Sequence, residues 1–156
     1  MATLALAATM LTASTAGQPV HDPSFCEGQP VPVVNSGFGV VIAPEHSTVT
    51  VGHSIFARVE NRGETTITLG LPYRVQHFED GRWAEAPGGP GPKALWPAVG
   101  FLLPPGGSGV CMKYKPPSGA EPGSYRFIQT VTVDGTRTDV VIRASFRIYP
   151  LVGPRS

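Results

Sequence analysis

The chain has 156 residues, only 15% of them charged, and 12 Lys+Arg against 11 Asp+Glu for a formal net charge of +1, which leaves room for one domain with a single core and little beyond it. No run of like charge occurs, so the electrostatic footprint of a nucleic-acid binder is missing. An apolar fraction of 41% lies above the disordered range, and 19 glycines with 17 prolines cut the chain into short segments, the composition of an all-β protein with many turns.

In chain order, residues 1–17 read as the apolar core of a secretory leader that ends in the small residues Ala13, Ser14, Thr15 and Ala16. The basic segment that opens such leaders is missing. Two readings stay open: the first residue lies inside a longer leader, or the segment is an apolar N-terminus that is not cleaved. It is too rich in Thr and Ser for a membrane span, and no other stretch approaches the required length, so no span is expected in the mature chain. Residues 18–37 read as an extended Pro-rich arm containing Cys26, whose preceding "DPSF" lacks the small aliphatic pattern of a lipid-attachment site.

From residue 38 the period is two. In "HSIFARVEN", Ile55, Ala57 and Val59 alternate with Ser54, Arg58 and Glu60, and in "DVVIRASFRIY", Val140, Ile142, Ala144, Phe146 and Ile148 alternate with Val141, Arg143, Ser145 and Arg147. Both patterns describe strands with one face in a core and one in water. Further strands are predicted at 38–43, 47–51, 65–69, 72–78, 82–86, 98–103, 108–114 and 124–133, separated by turn signals such as Asp80-Gly81, "PGGPGPK" and "PPGG". Many short strands with frequent turns read as a sandwich or small barrel over 38–150, with a tail at 151–156.

The chain has two cysteines, Cys26 and Cys111. In an oxidising compartment a lone distant pair reads as a disulfide, and closing so long a loop contributes on the order of 4 kcal/mol in the chain-entropy picture. The competing reading, a nucleophilic thiol at Cys111, requires a histidine placed to hold the thiolate.

The stretch "YRVQHFEDGRW", residues 73–83, is the densest in groups capable of chemistry. Alternation sends Tyr73, Val75 and His77 to one face and Arg74, Gln76 and Phe78 to the other, Asp80-Gly81 makes a two-residue hairpin turn, and Trp83 is expected to cover Tyr73 and Val75 from the returning strand. His77 and Trp83, near the turn, are the positions expected to meet a ligand if the hairpin binds one.

An ordered set of residues carries a family resemblance: Asn61, Gly70, Tyr73, Asp80, Gly81 and Trp83, then Pro105 and Gly106, then Pro122, Gly123, Tyr125 and Arg126, then Phe146. The succession over about residues 47 to 148 resembles the bacterial immunoglobulin-like domain family of secreted and envelope-attached proteins. The resemblance implies an immunoglobulin-like antiparallel β-sandwich of about seven to nine strands, with those residues in structural roles and no active site to carry over. Tyr125, after the "EPGS" turn, has the position of a tyrosine corner, and Arg126 is expected in solvent.

Catalytic alternatives fit poorly. Ser108 in "GGSGV" lacks the spacing of a nucleophile elbow, Glu79, Asp80 and Glu85 read as turn and surface carboxylates rather than a glycosidase pair, and "PGGPGPK" lacks the end of a phosphate loop. His21, His46, His53, His77 and Met112 are ligand types for copper, the main chemical alternative, although no histidine follows Cys111 as a blue-copper site requires. The expectation is a non-catalytic module with a protein-interaction or structural role, secreted or held at the cell envelope, without cofactor or metal, whose protein or cell-surface ligand is of unknown identity.

Overall fold

The computed structural model describes residues 38–91 and 94–151. The leader, the arm with His21 and Cys26, and residues 152–156 of the tail lie outside this range. Within it the strands are β1 (Val40–Pro44), β2 (Thr48–Thr50), β3 (Ile55–Asn61), β4 (Ile67–Glu79), β5 (Arg82–Glu85), β6 (Gly100–Leu103), β7 (Ser108–Tyr114), β8 (Gly123–Val133) and β9 (Thr138–Tyr149). They form two sheets: β1-β3-β7, and β2-β9-β8-β4-β5 with β6 also paired to β4. This is an immunoglobulin-like β-sandwich.

Three expectations about the strands are corrected. The segments 65–69 and 72–78 are parts of one strand, β4, whose register against β8 shifts between Leu69 and Tyr73. Gly70, Leu71 and Pro72 bulge out there, which keeps the prolyl nitrogen, with no hydrogen to donate, out of the ladder. The segment 47–51 shortens to β2, which runs parallel to β9; the chain leaves β1 in one sheet and enters the other within a few residues, so the larger sheet is not purely antiparallel. The segment 98–103 shortens to β6, because Val99 N–H bonds back to the Pro97 carbonyl at 2.9 Å instead of joining the ladder.

The alternation in β9 is observed as drawn from the sequence, with Ile142, Ala144, Phe146 and Ile148 buried and Val141, Arg143, Ser145 and Arg147 exposed. Between the sheets an aromatic series runs from Tyr73 to Phe127 (6.2 Å between ring centroids), Phe146 (5.0 Å), Tyr125 (5.8 Å) and Tyr114 (6.0 Å). Each such ring buries on the order of 150–250 Å². Two hydroxyls also tie the larger sheet to β7. Tyr73 OH donates to the Lys113 carbonyl at 2.6 Å and accepts the Lys113 N–H at 3.0 Å, and Tyr114 OH donates to the Pro87 carbonyl at 2.8 Å. Burial pushes the hydroxyl pKa of both tyrosines above that of an ordinary phenol, so they stay donors.

Tyr125 OH donates to the Glu121 carbonyl at 2.8 Å and fixes the corner into β8. Asn61, 1% exposed, donates to the Thr65 and Leu103 carbonyls at 2.9 Å each and accepts the Gly63 N–H at 3.1 Å. One side chain thereby closes the β3–β4 loop and anchors the end of β6. Asp80 (φ 50°) and Gly81 (φ 78°) both take left-handed backbone, as a primed hairpin turn demands.

Candidate functional site

The β4–β5 hairpin pairs Phe78 with Trp83 and Gln76 with Glu85. This corrects the expectation for Trp83: directly opposite Phe78, it shares the outer face with Arg74, Gln76 and Phe78 and does not cover Tyr73 or Val75, which point into the sandwich. His77 goes the other way, 5.7 Å from the Tyr125 ring. His77 and Trp83 therefore stand on opposite faces and do not form a common ligand site.

The outer face of the larger sheet is ordered in rungs. Across β4, β8 and β9 one rung reads Arg74, Ile128, Arg143; the next reads Gln76, Arg126, Ser145, extended by Glu85 on β5. Side chains in one rung stand on neighbouring strands about 4.8 Å apart, and rungs on this face follow each other at about 6.7 Å. Arg126 donates to Gln76 Oε1 from Nε at 3.0 Å and from Nη2 at 2.7 Å. Its guanidinium lies 4.1 Å from the Trp83 ring centroid, and Trp83 in turn touches Phe78 at 5.2 Å. Arg126 is thus held between an amide and an indole, not loose in solvent as expected.

Charge on this face is uneven: Arg74, Arg126 and Arg143 stand in two rungs with one carboxylate, Glu85, while Asp139 follows two rungs beyond Arg143 and accepts from Thr132 Oγ1 at 2.7 Å. Glu85 Oε1 accepts from Arg74, through Nε at 3.0 Å and through Nη2, and from Gln76 Nε2 at 3.2 Å. The Arg74 hydrogen bonds hold the Glu85 carboxyl below its ordinary pKa against the opposing effect of burial. No carboxylate among the described residues pairs with Arg126 or Arg143. Arg143 has a 3.5 Å contact from Nη1 to the Val141 carbonyl and is otherwise exposed. Burial, with the nearby charges of Arg143 and Arg74, lowers the Arg126 pKa from that of a free guanidinium.

Arg74, Gln76, Arg126, Ile128 and Arg143 of these rungs floor an open groove of about 630 Å³ that also includes Thr130, Val141, Gly91 and Trp96; Glu85 and Ser145 lie outside its lining. Its wall has a structural cause. β5 and β6 pair with the two ends of β4, leaving the middle of that edge, beside the Gly70–Pro72 bulge, to the loop between them. That loop brings Trp96 to 5.2 Å from Tyr73. In the sequence, the outward parity of Arg143 in β9 is the available signal for its place on this face, whereas nothing local to Trp96 announces its packing.

The other candidates do not converge. Among the described residues no three His, Cys, Asp or Glu side chains group as a metal site. Met112 is fully buried, while His46 and His53 are exposed. Glu79 and Asp80 sit at the hairpin tip, whereas Glu85 is engaged by Arg74 and Gln76. Cys111 is half-buried on the outer face of the smaller sheet, opposite Arg58, and is not a free cysteine. Its expected partner Cys26 lies outside the described residues.

A family model described as a bacterial Ig-like domain matches residues 36–147. No curated protein matches the chain. Among solved structures, PapD-like domain 7 of human CEP192 is similar at 16% identity and a TM-score of 0.37, over 81% of this chain and 96% of that one. The sporulation control protein Spo0M of Bacillus subtilis is similar at 11% identity and a TM-score of 0.36, over 74% of this chain and 51% of its own. A DNA-bound alkylpurine DNA glycosylase AlkC of Pseudomonas fluorescens matches at 13% identity and a TM-score of 0.36, over 72% of this chain. The present chain spans only 31% of that glycosylase.

Proposed function

The chain belongs to the bacterial immunoglobulin-like domain family, and from that premise we propose that it is an exported, non-catalytic binding module whose ligand site is the outer face of the larger sheet. The family is generally non-enzymatic, and its domains are often extracellular or surface-associated. One observation carries the reading: three arginines, an indole-held guanidinium among them, line an open groove whose lining holds no carboxylate, and Glu85 beside it is already engaged by Arg74 and Gln76. A face that needed only to be wet would not require this arrangement, since scattered polar side chains suffice for solubility.

Strands rather than loops supply most of the groove, so its donors hold fixed spacing without a ligand and a partner loses less freedom in finding them. The Cys26–Cys111 disulfide belongs to the same reading. It would attach the Pro-rich arm at Cys111, on the outer face of the smaller sheet.

Fractionation and surface capture test the proposal together. In cells expressing the full chain, the protein is expected outside the cytoplasmic membrane. The purified chain is expected to bind intact bacterial cells saturably, with capture reduced by Arg126→Ala. Retention in the cytoplasm would remove the exported role, and capture indifferent to Arg126→Ala would remove the groove as the site.

A further inference from the structure

We infer that the groove takes an extended, acidic segment of a partner protein, with carboxylate side chains alternating with small apolar ones; this rests on the binding-module reading above. Arg126 and Arg143 occupy successive rungs of the same face on neighbouring strands. Along an extended peptide, side chains on one side recur every two residues, also at about 6.7 Å. Offset by one rung and one strand, the two arginines are a diagonal pair about 7–8 Å apart at the backbone, a distance that their long side chains can adjust to carboxylates at i and i+2. A guanidinium presents a planar fork that fits a carboxylate, and Arg126 is already oriented by Gln76 and by Trp83.

The apolar half of the inference comes from the floor. Ile128 lies between Arg74 and Arg143 in their rung, and Val141, 42% exposed, lies beyond it opposite Thr130. Ile128 is buried beneath its neighbours at 9% exposure, so Val141 supplies the accessible aliphatic surface, which favours an apolar side chain that an acidic polysaccharide does not carry. The indoles are also committed: Arg126 covers one face of Trp83, and Trp96 packs on Tyr73.

The test is a titration of the full chain by fluorescence anisotropy with a short labelled peptide of alternating Glu and Val, its counterpart with Gln for Glu, and an oligogalacturonate of equal charge. The Glu/Val peptide is expected to bind saturably, and at least about tenfold more tightly than either control, a difference of about 1.4 kcal/mol. Arg143→Ala should weaken it about tenfold, and Val141→Asp should weaken it by repulsion. Both positions are exposed, and an unchanged melting temperature confirms that each variant folds. Equal binding of the Gln peptide, equal or tighter binding of the oligogalacturonate, or no saturable binding overturns the inference. If surface capture of intact cells persists in that case and still depends on Arg126, the binding-module reading stands and only the ligand class falls; if capture is absent as well, both fall.

Discussion

The two outer faces of the sandwich solve the same problem in opposite ways. On the smaller sheet, Glu60 closes its charges locally: Arg58 Nε donates to one carboxylate oxygen at 2.9 Å, while Arg62 donates to the other from Nε at 2.9 Å and from Nη2 at 2.6 Å. Lys113 lies 5.6 Å from the Phe56 ring. On the larger sheet, Glu85 is taken by Arg74 and Gln76, and Arg126 and Arg143 are left without a carboxylate. Each set holds three cations to one carboxylate, so the faces differ in placement and not in net charge: on the smaller sheet both guanidiniums bond to Glu60, and on the larger two of the three do not bond to Glu85. Charge that closes on itself reads as structure, and charge held in place with its own kind nearby reads as a site.

Each prediction breaks or sharpens that contrast. The largest effect lies beneath both faces: Phe127→Ala, at a fully buried position, should destabilise by about 3–5 kcal/mol in urea unfolding. A loss below about 1 kcal/mol would mean that the aromatic series does not hold the sheets together. Next is Cys26→Ser, expected to cost about 2–4 kcal/mol if the disulfide ties the arm to the smaller sheet. Thiol labelling of the unreduced wild type should then find no reactive cysteine, and full labelling of both would contradict the pairing.

Glu60→Gln should cost about 1–2 kcal/mol, since partly buried charge-assisted hydrogen bonds exceed exposed pairs. Burial pushes the Glu60 carboxyl up, but the hydrogen bonds and charges of Arg62 and Arg58 outweigh it and lower its pKa from 4.5. The ionised form is therefore the one the folded state favours. Its contribution is fully present above the ordinary glutamate value and is lost as pH falls through the lowered one. The stability gap between wild type and Glu60→Gln should be level from neutral pH down to the ordinary value and close below it; a gap that widens on acidification would reverse the assignment. The smallest effect on stability belongs to the other face. Arg143→Ala should leave the unfolding free energy within about 0.5 kcal/mol, and a larger loss would give Arg143 a structural role.

Parity made much of the fold legible. The alternation of β9 and β3 assigns inner and outer faces without any structure, and Asp80-Gly81 marks its own turn. The joining of 65–69 to 72–78 was not legible, because Gly70 and Pro72 look like a break when only the local sequence is read. A bulge that hides the prolyl nitrogen from the ladder appears once β8 is alongside. Trp83 failed for a related reason. Its face depends on its partner across the hairpin, Phe78, and the area it could bury drew the expectation toward the core. The groove required the register of β4, β8 and β9 together, which places Arg74, Ile128 and Arg143 side by side although they come from distant parts of the chain.

Charge reversal on each face, read by the same titration of the Glu/Val peptide, tests the contrast most directly. Arg143→Glu on the larger sheet should abolish measurable binding, whereas Lys113→Glu on the smaller sheet, with the same change in net charge, should leave the affinity within about twofold. Equal losses from the two substitutions would show that the protein's overall charge, and not the groove, attracts the ligand, and would contradict the account.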